Sequence, residues 1–184
     1  ECHVAHHWTC EADPQGTKWS TEMGQNGLEY VGKIDNEAQW LDSYFANTNT
    51  HETLILPAKD PASLTELLAN GLDSYQFSIK TPTGNLDVTG FDRIVERDLV
   101  IDGEVLHRTE YSIRITNAKG ALNYASVGSE YLSSKHRRFF SGYGRVTGPD
   151  APYDYNDAPV EFIYAGQSGF RDNTPKYGCD VLSA

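Results

Sequence analysis

An alternation of apolar and polar residues, running from Tyr75 to Ile115, limits how this chain can fold more than any other feature. Successive side chains of a strand point to opposite faces, so this alternation predicts half-buried β-strands. The clearest run places one set of residues on a single face: Val105, His107, Thr109, Tyr111, Ile113 and Ile115. Leu106 is its one exception. The apolar residues change phase at Gly90, which predicts a bulge or a sharp bend there.

Short turns separate these runs. Asp102-Gly103 has the form of a two-residue hairpin turn, and Pro82–Asn85 and Asn117–Gly120 also carry turn residues. Strands joined in this way pair antiparallel with their neighbours in the chain. The pattern therefore predicts a mainly β fold (α+β minor), an antiparallel meander of about eight strands that forms a curled sheet or a small barrel or sandwich.

Two short helices are predicted in the first half of the chain. Asn36 and Gln39 have capping-box spacing, and apolar residues follow at helical spacing: Trp40, Leu41, Tyr44 and Phe45. The second helix has Asp60 as its cap and Pro61 in its first turn, and it ends at Asn70-Gly71. Leu64, Leu67 and Leu68 form its apolar stripe.

The length of 184 residues suits a single domain over residues 1–184. Residues 11–27 carry Pro, Gly and Asn, so we expect residues 1–27 to be a largely irregular N-terminal segment. No linker or internal repeat divides the rest of the chain.

Charge and hydropathy limit the classes of partner that this chain is expected to bind. The net charge is −11, and an acidic surface repels phosphate backbones, so nucleic-acid binding is not expected. No apolar run approaches the ~20 residues of a membrane-spanning helix. The start at Glu1-Cys2 is typical of a mature N-terminus, and with the cysteines it favours a secreted or periplasmic location.

Three cysteines, Cys2, Cys10 and Cys179, permit one disulfide and one remaining thiol. We predict a disulfide to Cys179, with Cys10 favoured over Cys2 as its partner, because the termini of domains often lie close together. A short Cys2–Cys10 loop and three reduced thiols are the alternatives.

Three histidines lie near the N-terminus: His3, His6 and His7. Imidazole binds Zn and Cu, so these residues are a possible metal site, although their spacing matches no defined zinc pattern. The alternative is a solvated tail held by one cysteine. No other cofactor is expected.

His107 and Tyr111 share the apolar face of the clearest strand. With Tyr124 nearby in a closing sheet, they are candidates to line a small-ligand pocket. The alternative for His107 is a buried imidazole bonded to a neighbouring group.

A basic cluster, Lys135–Arg138, stands out in this acidic chain. Alternation places Arg137, Phe139, Tyr143 and Arg145 on one face, where they could bind an anion or an acidic protein partner. The alternative is a charged edge strand that resists further pairing.

The motifs of known catalytic sites are absent from the sequence, including a serine-hydrolase elbow, a phosphate-binding loop and a metalloprotease helix. We therefore expect a secreted or periplasmic module that binds a small ligand or a protein partner without catalysis. The alternative hypothesis is a metal-dependent hydrolase or lyase that uses the N-terminal histidines. The pattern indicates no oligomeric state.

Overall fold

β-Strands make up most of the chain in the computed structural model, which describes residues 2–149 and 152–177. In chain order the elements are β1 (Val4–Trp8), β2 (Lys18–Gly24), β3 (Gly27–Ile34), β4 (Trp40–Phe45), β5 (Thr50–Asp60), α1 (Leu64–Asn70), β6 (Leu72–Thr81), β7 (Gly84–Ile101), β8 (Glu104–Asn117), β9 (Leu122–Ser133), β10 (Arg138–Val146) and β11 (Tyr153–Asn156).

All eleven strands belong to one sheet, and their order in the sheet is their order in the chain. Each strand pairs antiparallel with the next, from β1–β2 to β10–β11. The predicted mainly β, antiparallel meander is confirmed in its curled-sheet form, because the sheet does not close into a barrel.

The N-terminal segment is more regular than its composition predicts. β1 and β2 pair over the five positions from Val4↔Met23 to Trp8↔Trp19, and the rings of Trp8 and Trp19 stack with centroids 6.2 Å apart. The irregular part of this segment is residues 9–17, between β1 and β2. Cross-strand pairing stabilises polar strands that have little hydrophobic signal of their own.

The first predicted helix is wrong as well, because Trp40–Phe45 is strand β4. The residues that resemble a capping box form a turn instead: the Asp35 carboxylate accepts hydrogen bonds from the backbone N–H groups of Glu37 and Gln39, at 2.8 and 3.0 Å. β4 lies between β3 and β5, and pairing on both sides engages the backbone groups that a helix would need.

The second predicted helix is present as α1. Its N-cap is Ser63 rather than Asp60, and the Ser63 hydroxyl accepts a hydrogen bond from the Glu66 N–H at 3.1 Å. Asp60 is instead the last residue of β5. Gly71 ends the helix with a φ of 78°, in the left-handed region that favours glycine.

Gly90 marks a close approach rather than a bulge. β7 runs through it, and its irregularities lie farther on, between Ile94 and Leu99. A Cβ atom at Gly90 would lie 2.6 Å from the Tyr75 hydroxyl oxygen. Glycine at this position therefore leaves room for the Tyr75 side chain to lie across the sheet.

The sheet curls so that side chains at its last strands contact residues at its first strands. The Arg138 guanidinium on β10 donates a hydrogen bond to the Trp19 carbonyl on β2 at 3.1 Å, and the His3 ring lies 3.3 Å from the Asp157 carboxylate, just after β11. The His7 and Phe140 rings meet edge to face at 5.4 Å. The concave side of this curl is called the inner face below.

Two apolar clusters fill parts of the molecule. One lies on the inner face of β6–β8 and contains Phe77, Ile79, Val88, Tyr111 and Ile113. The other packs α1 against the sheet through Ala38, Leu64, Leu67 and Leu132. Within the described ranges, no helix is long and apolar enough to cross a membrane.

Candidate functional site

One row of cross-strand partners crosses the inner face of β7–β11. Asp92 lies opposite Tyr111, Tyr111 opposite Gly128, Gly128 opposite Gly144, and Gly144 opposite Tyr155. Residues directly opposite each other share a face of the sheet. The row therefore places one carboxylate and two tyrosines on the same face as Gly128 and Gly144, which have no side chains.

A hydroxyl network holds these tyrosines. The Tyr111 hydroxyl shares hydrogen bonds with the Ser126 hydroxyl, at 2.7 Å, and with the Tyr155 hydroxyl. A Cβ atom at Gly144 would lie 2.7 Å from both tyrosine oxygens. Glycine is thus required for the two rings to meet over β10, and their mutual bonding fixes their positions.

Asp92 and Glu130 form what we call the acid pair. Asp92 is 8% exposed. Burial and then the Asp73 carboxylate raise the pKa of Asp92 to about 7. Burial and then the carboxylates of Asp92 and Glu22 raise the pKa of Glu130 to about 8. Such shifts mean that the inner face disfavours several negative charges at once.

The inner face around the acid pair is open to water, and we call this concave space the hollow. Glu22, Tyr30, Tyr75 and Glu130 all keep accessible surface, yet burial is the main cause that raises the pKa of each. These side chains are therefore partly enclosed by the curl of the sheet and are still reached by water. Glu22 lies on β2 and Glu130 on β9, so this hollow lies between the two ends of the curled sheet.

A groove of about 570 Å³ adjoins the hollow at the last strands. Its lining is Tyr124, Ser141, Val146, Tyr153, Asp154, Tyr155 and Asp157. Tyr155 connects the two regions, because it lines the groove, bonds to Tyr111 and has its pKa raised by burial and also by Glu130.

The predicted ligand residues His107, Tyr111 and Tyr124 are only partly brought together. Tyr111 and Tyr124 both lie on the inner face near the groove. His107 lies farther along β8, opposite Leu132, where its Nδ1 accepts a hydrogen bond from the Asp98 N–H at 3.2 Å. His107 thus belongs to the packed end of the fold and not to the groove.

The predicted basic and aromatic face is only partly present: Tyr143 and Arg145 share the outer face of β10, but the register shifts between Phe140 and Tyr143 and places Phe139 on the inner face. Phe139 packs with the inner cluster around Leu132, whereas Tyr143 is 51% exposed. Arg137 lies in the turn before β10 and binds Glu37, with Nη2 to Oε1 at 2.5 Å. Arg145 binds the Asp154 carboxylate at 2.9 and 3.1 Å. Each predicted arginine already has an acidic partner.

The predicted metal residues His3, His6 and His7 do not form a common site. His6 and His7 are neighbours on β1, so their side chains point to opposite faces, and His3 precedes the strand. His3 contacts the carboxylates of Glu29 and Asp157, and His6 bonds to the Asp172 carbonyl oxygen at 3.0 Å. Over residues 2–149 and 152–177, no group of three or more His, Cys, Asp or Glu side chains is arranged to hold a metal ion.

The cysteines also differ from the prediction. Cys10 is a free, exposed thiol in the structure, so its assignment to a disulfide with Cys179 is wrong. It follows the polar strand β1 on an open turn, where no described side chain covers it. Cys2 is buried and is not a free thiol. Cys179 lies outside the described residues.

Sequence reasoning missed the acid pair and Tyr155. A usable signal existed: Asp92 continues the parity of Leu86, Val88 and Gly90, and Glu130 continues that of Tyr124, Ser126 and Gly128. Acidic residues at inward-facing positions of a strand are unusual, because a buried charge without a partner costs free energy.

Comparisons of the chain with protein-family models, curated proteins and solved structures find no match.

Proposed function

We propose that this chain is a secreted or periplasmic binding module that takes up a small ligand on its inner face without catalysis, and that the groove beside Tyr155 is the opening. The observation that carries the proposal is the connection of the groove to the hollow through the bonded pair Tyr111 and Tyr155. The proposed cellular location rests on the cysteine content of the sequence alone.

The chemistry of the lining supports ligand binding. Ligand sites are concave and lined mainly by apolar and aromatic groups, with a few fixed polar groups that orient the ligand. Tyr124, Tyr153 and Tyr155 supply ring surface, and the Tyr111–Tyr155–Ser126 network fixes hydroxyl groups before a ligand arrives. Groups that are already positioned reduce the entropy lost on binding.

A matched pair of variants tests this proposal. Ser141→Trp places an indole in the groove, whereas Val127→Trp places one on the outer face, where Val127 is 51% exposed. Saturation-transfer NMR would screen both variants and the wild type against several hundred soluble neutral, cationic and anionic fragments.

We expect a set of fragments that binds the wild type and Val127→Trp and loses binding in Ser141→Trp. If no fragment binds, or if every bound fragment also binds Ser141→Trp, the groove is not the opening of a ligand site and the proposal fails.

A further inference from the structure

The groove beside Tyr155 is lined almost entirely by side chains that carry oxygen. Of its seven lining residues only Val146 is aliphatic, and each of the others carries a hydroxyl or a carboxylate. Most of the apolar surface of the groove therefore comes from tyrosine rings. Such a lining suits a ligand that packs against aromatic rings and also forms hydrogen bonds at many points.

Both carboxylates of the lining already have a basic neighbour. Arg145 Nη1 donates to the two oxygens of Asp154, at 2.9 and 3.1 Å, and Asp157 Oδ1 lies 3.3 Å from Nδ1 of the His3 ring. Among the described residues, no lysine or arginine lines the groove. A charged ligand thus meets no unpaired opposite charge in this lining, whereas the carboxylates still accept hydrogen bonds from hydroxyl groups. The charges favour a neutral ligand.

Two tyrosine rings lie side by side on β11, the last strand of the sheet. Tyr153 and Tyr155 are two residues apart, so they share a face and are about 7 Å apart along the strand. Tyr153 lies opposite Val146, and Tyr155 lies opposite Gly144. Tyr155 is held by its bond to Tyr111, whereas Tyr153 is 57% exposed. The ring of Tyr153 is therefore available to a ligand.

A sugar ring combines the two kinds of contact that this lining offers. Its C–H groups form an apolar face, which packs on the negative face of an aromatic ring. Its hydroxyl groups lie around the edge and both donate and accept hydrogen bonds. Tyrosine provides such a contact at a low cost in conformational entropy, because its side chain has few rotatable bonds.

The size of the groove agrees with this class of ligand. Its volume of about 570 Å³ lies within the range of about 300–1,000 Å³ that is usual for small-molecule pockets. One or two sugar rings fit into such a space.

We propose that the ligand of the groove is a neutral saccharide of one or two rings, with one sugar ring packed against Tyr153 and its hydroxyl groups bonded to the oxygens of the lining. This inference rests on the proposed function, and it names the class of ligand.

Saturation-transfer NMR of the full chain tests it with six neutral sugars: glucose, galactose, mannose, N-acetylglucosamine, maltose and cellobiose. At least one should bind with a dissociation constant of about 10 mM or less. Glucuronate and glucosamine keep the ring of glucose and add a negative or a positive charge. Neither should bind more tightly than the best neutral sugar, because the acids of the lining are already paired.

A matched pair of variants locates the binding. Tyr153→Ala removes a ring from the groove, and Tyr143→Ala removes a tyrosine that is 51% exposed on the outer face. Tyr153→Ala should weaken binding of the best neutral sugar about tenfold or more, and Tyr143→Ala should leave it unchanged. Circular dichroism checks that both variants are folded.

A second measurement needs no variant. As the best neutral sugar is added to the wild type, the aromatic NMR signals of Tyr153 should shift and those of Tyr143 should not.

The outcomes separate this inference from the proposed function. If fragments bind in the groove in the Ser141→Trp screen and no sugar of the panel binds, the proposed function stands and the saccharide assignment is overturned. A sugar that binds a folded Tyr153→Ala variant as tightly as the wild type, or that leaves the Tyr153 signals unchanged, overturns it too. So does a charged analogue that binds about tenfold more tightly than every neutral sugar. If neither fragments nor sugars bind, both proposals fail.

Discussion

The carboxyl groups of Asp92 and Glu130 face one hollow from β7 and β9, and the strand between them contributes Tyr111 and Thr109 instead of a basic residue. Most other ionisable groups nearby are also acids or phenols: Glu22 on β2, Asp73 and Tyr75 on β6, and Tyr155 on β11. The exception is His3, whose charge lowers the pKa of Glu22 against the larger effect of burial. This concentration of acids on the inner face makes part of the stability of the fold depend on their protonation.

The contribution of Asp92 and Glu130 to the stability of the protein should fall as the pH rises from about 4 to about 8, whereas His7, whose pKa burial lowers to about 3, contributes with the opposite sign below about pH 6.5. Asp92 and Glu130 have pKa values of about 7 and about 8 in the folded chain, whereas unfolded chains have about 3.9 and about 4.3. Between these values the folded state binds more protons than the unfolded state. The resulting stabilisation is complete below about pH 4 and is lost as the pH rises through about 7 and about 8.

Glu130→Gln should flatten this dependence. As the pH rises from about 4.5 to about 9, the free energy of unfolding of the variant should rise relative to that of the wild type by on the order of 1–3 kcal/mol. Urea denaturation across that range measures the difference. Glu110→Gln, which changes an exposed acid on the outer face of β8, is expected to follow the wild type. A Glu130→Gln curve parallel to that of the wild type would contradict the raised pKa of Glu130.

Tyr155→Phe should destabilise the protein by about 0.5–1.5 kcal/mol, because it removes one member of the Tyr111 hydroxyl network. Tyr153→Phe is the matched control. Tyr153 lies two residues away on the same face and is 57% exposed. The control should therefore change the free energy of unfolding by no more than about 0.5 kcal/mol. Equal free energies of unfolding for the two variants would mean that the network contributes nothing in solution.

Glu37→Ala should lower the free energy of unfolding by about 1–3 kcal/mol. The Glu37 carboxylate accepts hydrogen bonds from the Thr65 N–H, the Thr65 and Ser63 hydroxyls and the Arg137 guanidinium, so it joins α1 to two turns of the sheet. Asp154→Ala removes a more exposed arginine partner, for which about 0–1 kcal/mol is expected. Thermal and urea denaturation compare the two, and a smaller effect for Glu37→Ala would contradict its bridging role.

Cys10 should react with iodoacetamide in the native, unreduced protein. Peptide mapping should find the label on Cys10 and not on Cys2, because the first is free and exposed and the second is buried and not free. Labelling of Cys10 only after reduction would instead support the disulfide that the sequence predicts.

Features that depend on neighbouring residues could be predicted from the sequence. The Asp102-Gly103 turn has φ angles of 48° and 82°, which Asp and Gly tolerate. The strand β8 follows it, as the alternation of apolar and polar residues predicts. Gly71 ends α1 for the same local reason. Such signals are contained within a few residues, so they survive in any tertiary context.

Features that depend on distant partners could not be predicted. Trp40–Phe45 has helical spacing, but pairing with two strands makes it β4. Val105 is 49% exposed while Leu106 is fully buried. Leu106 lies on the same face of β8 as Glu104. The segment that contains Tyr164 covers this face, and the Tyr164 hydroxyl donates a hydrogen bond to the Glu104 carboxylate. The acid pair likewise forms only when the sheet places β7 beside β8 and β9.

The most direct test of a buried, acidic inner face is a carbon-13 NMR titration of the Asp92 and Glu130 carboxyl carbons. The two groups should titrate near their raised pKa values of about 7 and about 8, because the curl of the sheet encloses them and each acid disfavours the charge of the other. Ordinary carboxyl pKa values for both groups would contradict it.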